Sequence, residues 1–75
     1  MILSGKHLRV LRLVNGLEQK ELGAIAGVSQ QQICFYEKGQ RKISEAALQL
    51  LWDYFEMDED KLMDLDALLP QITLK

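Results

Sequence analysis

The stretch of sequence that decides the fold is QKELGAIAGVSQQQICFYEKG, residues 19–39. A tight turn of three residues, 27–29, separates two short segments that favour helix. Ser29 followed by Gln32 matches the capping-box pattern, which predicts that a helix begins directly after the turn. So short a turn makes two helices cross steeply, and the second then projects from the surface. A projecting helix of this kind has the geometry that enters the major groove of DNA.

Helix signals continue on both sides of this stretch. Serine or aspartate N-caps begin the outer helices, and Gly16, Gly27 and Gly39 stand where left-handed residues end helices. The predicted helices span about 4–15, 19–26, 29–38, 44–55 and 58–68. Pro70 is expected to end the last of them, and residues 71–75 alternate as in an extended tail. The prediction is an all-α, compact five-helix domain over residues 1–64, with a C-terminal extension at 65–75.

The net charge of −2 hides an uneven distribution along the chain. Residues 1–44 carry seven basic and three acidic groups, whereas residues 45–75 carry two basic and eight acidic groups. The first part is therefore at +4 and the second at −6. Such a dipole lets one end meet phosphates while the other end is repelled and fixes the orientation.

The residue inventory argues against several classes of function. Cys34 is the only cysteine and His7 the only histidine, so a zinc cluster or an intrachain disulfide is not expected. No Gly-rich phosphate loop or nucleophile with its partners is present, and we expect neither an enzyme nor a cofactor. No segment approaches transmembrane length, and a cytoplasmic location with no membrane partner is expected. Cys34 is interpreted as a small structural residue, with a redox role left open.

From residue 8 to residue 63 the chain resembles the Cro/phage-repressor (XRE-type) family of helix-turn-helix proteins. The resemblance rests on LRVLR at 8–12, on GLEQKEL at 16–22 and on the motif Q-x-x-L-(x4)-G-V-S-(x3)-I-(x2)-Y-E-x-G from residue 19 to residue 39. It implies a lambda-repressor-like fold and sequence-specific binding of double-stranded DNA as a transcriptional regulator, in particular a repressor on a palindromic operator.

The resemblance also implies roles for individual residues. Gln30, Gln31 and Phe35 would contact bases, because a glutamine amide suits the edge of adenine and a phenyl ring can press on a thymine methyl. Arg12 and Glu37 would form a structural ion pair. The implied phosphate contacts are Gln19, Lys38, Gln40, Arg41 and Lys42.

Two positions depart from the family pattern. Glu18 replaces the usual small N-cap before the second helix, where it favours the helix dipole but caps less well. Gly23 replaces the usual alanine, and is expected to weaken that helix by up to about 1 kcal/mol.

The fourth predicted helix is apolar on almost every side. This is more apolar surface than a single small domain is expected to bury. We therefore predict a homodimer, the alternative being that the tail folds back on its own domain. The predicted interface residues are Leu50, Trp52, Tyr54, Leu65, Leu68, Leu69, Ile72 and Leu74. Two other functions stay open: the antitoxin of a toxin–antitoxin pair, with a toxin as second partner, and a protein-interaction module that has lost DNA binding.

Overall fold

The computed structural model describes the backbone of residues 3–73 and the side chains of residues 3–69. Within residues 3–73 the chain forms five helices and no strand, which confirms the predicted all-α, five-helix class. The helices are α1 (Gly5–Val14), α2 (Gln19–Ala26), α3 (Gln30–Glu37), α4 (Glu45–Tyr54) and α5 (Glu59–Thr73).

Short polar side chains begin the helices where the sequence places them. The hydroxyl of Ser4 accepts the His7 N–H at 3.2 Å, and those of Ser29 and Ser44 make the same contact for α3 and α4 at 3.1 and 3.2 Å. The Asp58 carboxylate accepts the Lys61 N–H at 2.8 Å at the start of α5. Each contact satisfies a backbone donor that the helix itself leaves free.

The core lies where α1 meets α3 and α5 and where α2 meets α3 and α4. Leu8, Leu22, Ile33 and Leu51 are fully buried there, each from a different helix. Val28, in the turn between α2 and α3, is partly buried against this core. Apolar side chains of four helices thus converge on one centre, which fixes how α3 is presented.

Helix α5 differs from its prediction, because it continues through Pro70 to Thr73. Residues 71–73 are therefore helical, and the expected extended tail was wrong for them. Leu65 is buried, and Leu68 and Leu69 pack partly buried against the core. Proline removes one backbone donor from the helix, and this packing anchors the preceding turn firmly enough for the helix to continue.

Two glycines are required by close backbone contacts. A Cβ on Gly5 would overlap the carbonyl oxygen of Tyr36, where α1 begins against the end of α3. A Cβ on Gly23 would lie 2.7 Å from the carbonyl oxygen of Val28. The Val28 N–H in turn donates to the Gly23 carbonyl at 2.9 Å. Gly23 therefore has a second consequence besides the expected weakening of α2, because the missing side chain lets the turn pack against the helix.

We expect Gly5→Ala to lower the free energy of unfolding by about 1–3 kcal/mol, because the added methyl forces α1 away from α3. Urea denaturation followed by circular dichroism measures the change. Lys6→Ala is the matched control, since Lys6 is exposed at the next position of the same helix. Equal stability of the two variants would contradict the close contact.

Candidate nucleic-acid interface

The turn between α2 and α3 sets the direction in which α3 leaves the domain. Gly27 adopts φ +72°, a left-handed conformation, and ends α2. Ser29 is extended and caps α3, so the chain reverses direction within three residues. The two helices pack against each other over their buried faces, which carry Leu22 and Ile33. The opposite face of α3 is left towards solvent.

The N-terminal turn of α3 exposes two of its three glutamines. Gln30 and Gln31 are exposed, whereas Gln32 is partly buried. Gln19, from the start of α2, lies beside them, and together with Ser29 and Cys34 they line an open depression. The structure therefore brings two sequence-predicted base contacts and one predicted phosphate contact to one surface. Amide groups that can both donate and accept are the side chains that read an adenine edge.

Phe35 lies one turn further along α3 and is only partly exposed. The guanidinium of Arg41 lies over its ring, with Cζ 5.2 Å from the ring centroid. The Phe35 carbonyl also accepts the Gln40 N–H at 2.9 Å, so the loop after α3 returns to this residue.

The remaining predicted phosphate contacts follow the end of α3. Lys38 is its C-cap, and Lys38, Gln40, Arg41 and Lys42 are all exposed. They form a short polar edge with three positive charges. Long cationic side chains at the surface are suited to phosphate oxygens.

An internal ion pair joins α1 to α3 behind this surface. Arg12 donates from Nε to Glu37 Oε2 at 2.7 Å and from Nη2 to Glu37 Oε1 at 3.0 Å. The side chains are only 13% and 2% exposed. Arg12 Nη1 also donates to the Leu17 carbonyl at 3.1 Å, and Gln19 Nε2 donates to Glu37 Oε1 at 3.3 Å. This cluster, which we call the Arg12–Glu37 network, ties α1, α2 and α3 together, and one Gln19 donor points into it.

The predicted dimer residues do not form one surface. Leu50 and Tyr54 are 47% and 61% exposed on α4, whereas Trp52 packs partly buried against the core. Leu65, Leu68 and Leu69 lie in or against the domain's own core, so they are not the surplus apolar surface that the sequence analysis expected. The Ile72 side chain and the whole of Leu74 lie outside the described residues. Leu50 and Tyr54, one turn apart, are the exposed members of the predicted set.

One contact in this domain was not anticipated from the sequence. His7 lies in the first turn of α1, and its Nε2 contacts the carboxylate of Asp66 on α5. Its Nδ1 accepts the Ser4 N–H at 3.0 Å and completes a capping box. The Ser4-x-x-His7 spacing was the only available signal, and nothing local points to Asp66, 59 residues away.

Charge is divided across the described part of the molecule as it is along the chain. The exposed basic side chains of the first three helices and the following loop include Lys20, Lys38, Arg41 and Lys42. Helices α4 and α5 have acidic residues in their first turns. Within residues 3–73 there is no group of three or more candidate metal ligands, and no helix long and apolar enough to cross a membrane.

Comparison with known proteins agrees with this geometry. The model of the HTH_3 family, described as Helix-turn-helix, matches residues 8–62. The match begins within α1, includes α2 to α4 and ends within α5, and so covers residues 19–42, which form the surface described above. No curated protein and no solved structure gives a significant match to the chain.

Loss of one partner from the Arg12–Glu37 network should be severe. We expect Glu37→Ala to lower the free energy of unfolding by about 1–3 kcal/mol, because it leaves the partly buried Arg12 guanidinium with only the Leu17 carbonyl as a partner. The measurement is chemical denaturation, with Asp64→Ala as the exposed-carboxylate control. Replacing both partners, as Arg12→Met with Glu37→Leu, should restore much of the stability. A single variant no worse than the control would show that the pair contributes nothing.

Proposed function

The chain belongs to the HTH_3 helix-turn-helix family, a DNA-binding family of transcription regulators that is typically non-enzymatic, and from this we propose that it is a dimeric repressor acting on a palindromic operator. In this proposal α3 lies in the major groove. Gln30 and Gln31 contact base edges there. Gln19, Lys38, Gln40, Arg41 and Lys42 contact phosphates on either side. The protein acts by occupying its operator and needs no catalytic group or cofactor.

The exposed glutamine pair at the start of α3 is the observation that carries the proposal. Gln30 and Gln31 stand free of the core, and Lys38, Arg41 and Lys42 are exposed at the opposite end of the same helix. A helix with amide readers at one end and cations at the other can contact base edges and backbone together. The acidic α4 and α5 suit a position away from the phosphates.

Dimer formation is supported by Leu50 and Tyr54. These large apolar side chains lie one turn apart on the surface of α4. A second copy related by a two-fold axis would cover the same residues on both chains. It would also hold two α3 helices at a fixed spacing, which is what a palindromic site requires.

The antitoxin alternative would need an apolar segment that is free to bind a toxin. Within the side chains that the structure describes, Leu65 is buried and Leu68 and Leu69 pack partly buried against the core, so they do not favour that alternative. The interaction-module alternative has the acidic first turns of α4 and α5 in its favour. The exposed glutamines and basic residues at α3 favour DNA binding over it.

The direct test selects bound duplexes from a random library and then measures affinity for the selected site at several salt concentrations. The proposal expects a palindromic consensus and affinity that falls steeply with salt. Enrichment of no sequence, together with weak salt-insensitive binding, would reject it.

Base reading by Gln30 and Gln31 gives a sharper expectation. Alanine at either position should cost about 1–3 kcal/mol on the selected site and little on random duplex. Gln32→Ala is the matched control, because Gln32 belongs to the same run but is partly buried. Equal losses on selected and random DNA would assign both residues to general backbone contact.

The α4 contact is tested with Leu50→Glu, which should raise the dissociation constant of the dimer at least about 30-fold. Burying unpaired carboxylates at an interface costs roughly 2 kcal/mol or more. Analytical ultracentrifugation at micromolar concentration reads this out. Leu13→Glu is the control, since Leu13 is 42% exposed on α1, close to the exposure of Leu50. Trp52 is unsuitable for this test because it packs against the core. A wild type that is monomeric both free and on DNA would overturn the dimer.

A further inference from the structure

Phe35 and Arg41 form a pair that joins the middle of α3 to the basic loop after it. We propose that Phe35 is a positioning residue, which holds the Arg41 guanidinium for a DNA phosphate, and that it does not read a base. The inference rests on the proposed function, because it needs duplex DNA as the ligand. It changes the role that the sequence analysis gave to Phe35.

The Arg41 guanidinium lies over the ring of Phe35. Arg41 Cζ lies 5.2 Å from the centroid of the Phe35 ring, within the range of a cation–π contact. A guanidinium held over a ring keeps its N–H donors at its edge, where they can bind phosphate oxygens in a forked arrangement. The ring therefore orients the cation without using the donors that a phosphate needs.

The backbone gives a second, independent argument. Gly39 adopts φ +72° and turns the chain after α3. Gln40 and Arg41 then donate their N–H groups to the Phe35 carbonyl at 2.9 and 3.4 Å. These contacts hold the backbone of the loop beside Phe35, and the ring contact restricts the Arg41 side chain, which then has less freedom to lose on binding.

The charge of Arg41 is available for a phosphate. Within the side chains that the structure describes, the Arg12 guanidinium pairs with the Glu37 carboxylate, and no carboxylate pairs with Arg41. The guanidinium over Phe35 also covers part of the surface that a thymine methyl would have to touch. Both facts favour a role in backbone contact over a role in base reading.

The experiment is a double-mutant cycle on random-sequence duplex DNA. Phe35→Leu should raise the dissociation constant roughly two- to five-fold for every sequence, the range of an exposed cation–π contact. In an Arg41→Gln background the same change should have no further effect. Arg41→Gln alone should also reduce the salt slope by about one unit.

Two conservative variants separate positioning from mere packing. Phe35→Tyr keeps the ring and should therefore bind DNA with wild-type affinity. Arg41→Lys keeps the charge but loses the planar stack, so its dissociation constant should rise about as much as that of Phe35→Leu. Thermal unfolding of each variant, compared with Phe55→Leu at another partly buried ring, reports any loss of fold.

A loss confined to the selected operator that persists with Arg41→Gln would overturn the inference and return Phe35 to base contact. No loss on any duplex would overturn it as well. In both cases wild-type binding stands, and the proposed function with it. A wild type with no salt-dependent affinity for any duplex would instead overturn the proposed function, and this inference with it.

Discussion

The presentation of α3 depends on the partly buried Arg12–Glu37 pair. Apolar contacts can be satisfied by several small rotations of one helix on another, but a guanidinium and a carboxylate that are mostly shielded from water need each other in one geometry. Two hydrogen bonds fix α3 to α1, and Gln19 and the Leu17 carbonyl bring the start of α2 into the same network. We interpret the pair as fixing orientation more than adding net stability, since buried pairs roughly break even against apolar packing.

What the sequence predicted well was encoded locally. Ser4, Ser29 and Ser44 cap helices through hydrogen bonds to residues three positions ahead, so that the signal and the structure lie within one turn. Left-handed glycines end helices for an equally local reason. The exposure of Gln30 and Gln31 is local in the same sense, because both are polar residues, which favour solvent, directly after the cap of α3.

What the sequence did not predict depends on contacts between distant residues. In the sequence, Gly5 is an ordinary glycine at the start of a helix, and only the packing of the last turn of α3 against it shows that a side chain has no room there. His7 meets Asp66 only once α5 lies on α1. The leucines of α5 had an apolar pattern compatible with a dimer interface or with the domain's own core. An amphipathic pattern indicates that one face of a helix must be covered, but it does not indicate which surface covers it. The continuation of α5 beyond Pro70 could not be predicted for the same reason, because it accompanies the packing of that helix on the core.

The acidic residues of the first three helices are not evenly placed around α3. The charge of Glu37 is neutralised by Arg12, and the Glu21 carboxylate accepts the Glu18 N–H at the start of α2. The exposed carboxylates of Glu18 and Glu21 stand at the helix end where Gln19 is proposed to meet a phosphate, and they oppose an anion there. Beyond the end of α3 no acidic residue intervenes between Lys38 and Lys42. In the proposed complex, attraction to the phosphates is therefore expected to be strongest beside the loop after α3, where the Arg41 guanidinium lies over Phe35.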